Sequence, residues 1–225
     1  MSLRKLGAAV FAVLAIGAVT ADNAFAAPTT GKSHWNVNVA KLSGTSAFAC
    51  SSTGTFSLKS SIAGSPLWLT ANPVSCLTPN SLIANTTVSG VEMAVDSGEI
   101  LFDDVIVMEP AGCVTYNDNF LTEKLASNIE MDGSTVYDRF VAAAPATQLS
   151  VIALRECAAE GNYKLTGFLR ALWPYRTGEE KYVNQLTFNS TSNAVSELKM
   201  GGNAATLEGT LNVTLTSGAT FSASE

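Results

Sequence analysis

Apolar and polar residues alternate one by one over much of this chain. The clearest case is Leu207–Phe221 (LEGTLNVTLTSGATF), where Leu211, Val213 and Leu215 interleave with Asn212, Thr214 and Thr216. A period of two puts successive side chains on opposite faces, so the stretch predicts a half-buried β-strand punctuated by Gly209 and Gly218. Towards the other end, SHWNVNVA starts at Ser33 and predicts a second strand. Trp35, Val37 and Val39 form one of its faces, Asn36 and Asn38 the other.

Shorter pieces follow the same style. Thr45–Cys50 and Thr55–Leu58 flank Ser51-Ser52-Thr53-Gly54 and read as a hairpin with one buried face. Leu67–Leu69 is a short apolar piece, and Pro73 and Pro79 bracket Cys76, which puts that cysteine on a loop or a strand edge. Asp96-Ser97-Gly98, a turn signature, joins Ser81–Val95 to Glu99–Met108, and the latter reads as a buried strand bent or bulged at Asp103-Asp104. Phe120–Glu130 is the helix candidate, because Leu121, Leu125 and Ile129 recur every four residues behind the cap candidates Asp118 and Asn119. Asp132-Gly133 then turns into Thr135–Val141. Gln148–Cys157 contains Val151-Ile152-Ala153-Leu154 and predicts a strand buried on both faces; Tyr163–Leu172, Tyr182–Phe188, Ala194–Met200 and Thr206–Leu215 complete the series. Roughly a dozen pieces at spacings of about 8–15 residues predict a mainly β fold. It is an antiparallel sandwich or a barrel-like domain with at most one or two short helices. No linker divides residues 27–225, which read as a single domain.

Residues 1–26 carry a different pattern. Arg4 and Lys5 precede an apolar run from Leu6 to Val19, and Ala24-Phe25-Ala26 has the small-x-small form of an export cleavage site. The run is shorter than the ~20 residues of a membrane span. It predicts a cleaved signal peptide of bacterial type, a mature chain starting near Ala27, and a secreted, extracellular or cell-surface destination. The chain has 13 Lys+Arg against 19 Asp+Glu; without Arg4, Lys5 and Asp22 the mature part has 11 against 18, a net charge of −7. That balance, with no basic cluster, suits neither nucleic acid nor anionic lipid as a partner. Charged residues make up only 14% of the chain, so hydroxyl and amide side chains carry the outward faces, while 47% hydrophobic residues suffice for a core.

Four cysteines, Cys50, Cys76, Cys113 and Cys157, predict two disulfides in an exported chain. Three pairings are open. The sequence-adjacent one, Cys50–Cys76 with Cys113–Cys157, is preferred, each bridge contributing about 3–4 kcal/mol by restricting the unfolded chain. None lies at the C-x-x-C spacing of a zinc site. His34 is the only histidine, close to the mature terminus where a general base is poorly held, and no G-x-S-x-G occurs. Asp103-Asp104 and Glu179-Glu180 are the visible carboxylate pairs, but neighbours on a strand point to opposite faces, and Glu179-Glu180 lies in the charged stretch Thr177–Lys181. Asn117-Asp118-Asn119 offers oxygens of the kind calcium takes, without the loop pattern of a calcium site; a turn explains it equally well. Asn85, Asn189 and Asn212 open glycosylation-type triplets, expected by chance in so Ser/Thr-rich a chain. No catalytic, metal-binding or cofactor-binding residue is expected. The candidate surface is Trp173-Pro174-Tyr175-Arg176, an aromatic patch whose proline and charge place it at an element end; Trp35 and Trp68 read as core.

Leu207-Glu208-Gly209-Thr210-Leu211-Asn212-Val213 resembles the G-T-L-x-V closing strand of the exported bacterial alkane-oxidation activator (PraB-type) proteins. The layout is similar too: cleaved signal, Thr/Ser/Gly-rich strands, dispersed cysteines. This resemblance implies an extracellular, non-catalytic accessory that helps cells contact or take up hydrophobic substrates such as alkanes. The expected function is therefore a secreted, non-enzymatic surface-active protein that meets hydrophobic compounds or the cell envelope. The alternative is a subunit of an extracellular fibre or surface layer, self-assembling through its terminal strands.

Overall fold

The computed structural model describes residues 32–88, 90–132, 135–173 and 184–224. Eight antiparallel strands close into a barrel. They are β1 (Thr45–Ser52), β2 (Leu82–Val88), β3 (Val91–Gly98), β4 (Leu125–Asp132), β5 (Thr135–Ala142), β6 (Leu169–Trp173), β7 (Gln185–Phe188) and β8 (Thr206–Leu215). Each pairs with the next in the chain, and β8 returns to β1 from Leu211↔Ser52 to Leu215↔Phe48. Closure gives every wall strand two partners, which is how an all-β domain removes exposed edges. Leu211, Val213 and Leu215 point inward as their alternation requires, and Asn212 and Thr214 face solvent.

Consecutive wall strands run in opposite directions, so the connections after β1, β3, β5 and β7 all leave from one end of the barrel. All four are long, and together they build a cap. The hairpin Phe56–Ile62 with Ser65–Ala71 pairs with Ile106–Glu109. Val74–Cys76, Ile100–Phe102 and Phe120–Leu121 form a second ribbon. Val114–Thr115, Ser150–Arg155, Gly161–Thr166, Lys199–Met200 and Asn203–Ala204 form a five-stranded sheet. Cap and barrel share apolar packing: Phe102 stacks on Phe120 at 4.5 Å, and Phe56 meets Phe102 and Phe188 edge-on at 5.9 Å. Both disulfides adopt the preferred pairing. Cys50–Cys76 ties β1 to the cap, and Cys113–Cys157 ties two cap insertions together.

The opposite end is closed by the chain termini. His34–Val37 pairs antiparallel with Phe221–Ser224, a strand that the alternating pattern does not separate from Leu207–Phe221; the predicted strand ends at Leu215, in the barrel wall, and the chain turns before Phe221. Trp35 is fully buried in the barrel mouth, 6.0 Å from the Trp173 ring and 5.8 Å from Phe221. Asn85 of β2 grips this plug: its Oδ1 accepts from Trp35 N–H at 2.6 Å, and its Nδ2 donates to the carbonyls of Trp35 and Leu42 at 3.0 Å.

Several local expectations are corrected. The helix candidate Phe120–Glu130 is strand, Phe120–Leu121 and then β4; a spacing of four is even, so Leu125 and Ile129 share one strand face as readily as one helix face. Asp96-Ser97-Gly98 lies inside β3 rather than in a turn, because Asp96 takes an inward wall position; the chain reverses between Val88 and Val91 instead. Thr45–Cys50 and Thr55–Leu58 do not pair as a hairpin. β1 and Phe56–Ile62 lie end to end along the same edge of β8, which bends at Gly209, where a Cβ would meet the Phe56 ring at 2.5 Å. Val151 is exposed, so its strand is buried on one face only. The apolar run at 99–108 breaks at Asp103-Asp104, and Ile106 and Met108 beyond the break are exposed.

Candidate functional site

The barrel interior is filled rather than hollow. Its void, bounded by Trp35, Phe48, Leu125, Phe140 and Trp173, measures about 30 Å³, and a second beneath the cap about 20 Å³. Each holds about one water and neither accommodates an alkane chain.

Of the expected aromatic surface at Trp173-Pro174-Tyr175-Arg176, only Trp173 lies among the described residues. Trp173 is an inward residue of β6, only 5% exposed, because its even spacing from Leu169 and Ala171 turns it into the barrel. Pro174, Tyr175 and Arg176, with Glu179 and Glu180, lie outside the described residues. Among the described residues, the large exposed apolar side chains other than Val39 gather on the cap. The Thr122↔Ser150 bridge sets Leu121 beside Val151, and Val114 stands opposite Arg155 in register. Tyr116, 62% exposed, lies under the Arg155 guanidinium at 5.9 Å. Ile106, 59% exposed, and Met108 extend the surface along the adjoining edge strand. Cys113 precedes Val114 and Cys157 follows Arg155 by two residues, so the second disulfide holds the middle of this patch. Four of these side chains, Ile106, Val114, Leu121 and Val151, alternate with buried or half-buried ones, Val105, Val107, Thr115 and Ile152 among them, so their exposure is a consequence of strand parity. Alternation was the available signal; which face would be covered was not in it.

The other candidates are dispersed. The His34 Nε2 meets the Ser224 hydroxyl at 3.0 Å, and Asn36 Nδ2 donates to the same oxygen at 2.8 Å, a cross-strand cluster with no acid hydrogen-bonded to the imidazole among the described residues. Asp103 is half-buried and Asp104 exposed. Asn117, Asp118 and Asn119 are exposed around the turn Tyr116–Asp118, and no group of three His, Cys, Asp or Glu side chains gathers among the described residues. Asn85 is consumed by the plug, Asn189 caps the short helix Ser190–Ala194, and Asn212 is exposed on the barrel wall. Trp68 is half-buried, its Nε1 donating to Ser57 Oγ at 2.9 Å.

Two charged clusters are buried. On the outer wall, Glu130 accepts from Arg170 Nε at 2.8 Å and faces Arg139 Nε at 3.7 Å, with Phe168 flanking both guanidiniums. Arg170 also donates to the Val195 carbonyl, which docks the helix-bearing insertion on the barrel. Burial draws Arg139 below its ordinary value, with Glu130 opposing. Inside the barrel, Asp96 and Asp138 face each other, and burial pushes both carboxyls above the usual range. Comparison of the chain with protein-family models, curated proteins and solved structures finds no match.

Proposed function

We propose that this protein is a secreted, non-enzymatic surface-active accessory, which contacts hydrophobic material such as alkanes or the cell envelope through the cap patch. The observation that carries this reading is the cluster of Leu121, Val151, Val114, Tyr116, Ile106 and Met108 on a scaffold held by Cys113–Cys157. A monomer that closes its barrel at both ends has no internal reason to expose six large apolar side chains in one region. The two disulfides are compatible with an oxidising, extracellular location. The resemblance of Leu207–Val213 to the alkane-oxidation activators agrees with this use.

The test is interfacial tension and hexadecane emulsification with the purified mature protein. Tyr116→Ser combined with Leu121→Ser removes about 2 kcal/mol of transfer free energy from two partly exposed side chains, roughly a thirtyfold loss of partition to the oil surface. Folding stability should move by less than about 0.5 kcal/mol per site, since both are exposed. Wild-type activity no better than that of a soluble control protein would sink the reading. The alternative, a fibre or surface-layer subunit, needs a terminal strand free to pair with a neighbouring molecule; here His34–Val37 pairs with Phe221–Ser224, and β8 has partners on both edges.

A further inference from the structure

Asp96 of β3 and Asp138 of β5 both point into the barrel, 9% and 1% exposed. They flank β4, where Asp96 stands opposite Ser127 and Asp138 opposite Ile129. Ser127 between them is small, and across it the two carboxyls are near enough for the charge of Asp96 to oppose ionisation of Asp138. Two carboxyls buried side by side cannot both stay ionised without a proton between them. The Asp138 Oδ1, the Ser127 Oγ and the Trp173 Nε1 are buried without a hydrogen-bond partner among the described residues, so the pair is a polar centre in a largely apolar interior. Trp173 also links it to the plug, since its N–H lies beside Asp138 and its ring meets Trp35 edge-on.

We infer that Asp96 and Asp138 share one proton inside the barrel, and that this proton latches the Trp35 plug, making the barrel mouth a pH-sensitive switch. Among the described residues, no cation offsets the pair from within. Glu92 of β3 has inward parity but turns out to Lys41 at the mouth, and β2 presents only Asn85. Glu130 and Arg139 of β4 and β5 lie on the outer face, Trp173 and Ala171 of β6 are uncharged, and His34 of the plug turns to Ser224. Asp138 is held well above its ordinary 3.8, first by burial and then by the neighbouring Asp96. Asp96 is raised by burial, with hydrogen bonds from Asp138 and Ser127 opposing. An acid whose folded value lies above its unfolded one binds its proton more tightly when folded. The stability it contributes is complete at low pH and drains away as pH rises from the unfolded value through the folded one. Losing the shared proton puts two negative charges in the apolar interior behind the plug.

The experiment follows urea unfolding of the mature protein between pH 4 and 9, beside Asp138→Asn, whose amide can still donate to Asp96. In the wild type the unfolding constant should rise with pH above 4, by up to tenfold per pH unit for the shared proton. In Asp138→Asn that component of the slope should vanish. Hydrogen exchange at Trp35–Val37 and Phe221–Ser224, corrected for intrinsic rates, should accelerate with pH in the wild type ahead of β8 and stay level in the variant. Equal slopes in both proteins overturn the shared proton. A lost slope with unchanged plug exchange overturns the latch and leaves only a buried pair. Should Asp138→Asn not fold, carboxyl carbon NMR of the wild type decides: two Asp resonances titrating far above 3.8 uphold the pair, and all titrating near it refute the proposal.

Discussion

Val39 occupies the tip of the two-residue turn between Val37 and Ala40, with φ of 61° after Asn38 at 49°. Both central residues of such a turn need positive φ, which asparagine and glycine tolerate and a β-branched residue resists. Val39 is also 71% exposed, so no packing compensates. Relief of about 1–3 kcal/mol of backbone strain, less about 0.5–1 for glycine's greater unfolded freedom, leaves Val39→Gly stabilising by roughly 1 kcal/mol. Denaturant titration should show a raised midpoint with an unchanged slope. The expectation that Val39 continues the face of Trp35 and Val37 failed here, because alternation does not announce where a strand stops. At Gly209 the reverse holds: its φ of 154° and the Phe56 ring leave no room for a side chain, and that glycine lets β8 serve both barrel and cap.

Elements were legible where alternation was strict. Trp35–Val37, β8 and much of β5 were found as strands, and the cysteine pairing was right because each bridge closes between pieces that the barrel's meander keeps close. Partners were legible less often. Phe56–Ile62 turned away from the strand before it to a hairpin after it, since Ala63-Gly64 offers a tight reversal and β8 already occupies that edge of β1. Within the cap, Val114–Thr115 and Ser150–Arg155 share only two registered pairs, so their union leans on Cys113–Cys157. Replacing both of those cysteines by serine should cost roughly 4 kcal/mol for a loop of 44 residues. Limited proteolysis should then cut first between residues 113 and 157, and oil adhesion should fall with the patch. Cleavage elsewhere would mean that the sheet holds without its bridge.

At the scale of the whole molecule, the barrel is closed twice, once by β8 on β1 and once by the termini in the mouth. Asn85 is the pin of the second closure, bonding the Trp35 N–H, while the Trp35 carbonyl also accepts from the Leu42 N–H at 2.8 Å. Asn85→Ala leaves the Trp35 N–H and the Leu42 carbonyl unanswered, at about 1–3 kcal/mol each if water stays out, while the Trp35 carbonyl keeps the Leu42 N–H. A net loss of about 3 kcal/mol is expected, with hydrogen exchange rising at Trp35–Val37 and unchanged in the cap. Uniform acceleration would show instead that plug and barrel unfold as one unit.

The sequence by itself determined, from alternation, that the chain is built of strands and that Leu211, Val213 and Leu215 face a core, and, from an even count of cysteines, that they pair in two bridges. It did so because side-chain parity and loop closure are local properties. Whether the sheet closed into a barrel or split into a sandwich, which apolar face stayed outside on the cap, and that Asp96 and Asp138 meet across Ser127 were decided only in three dimensions. A strand's period says that it has two faces. What covers each one depends on residues a hundred positions away, and only the folded chain brings those together.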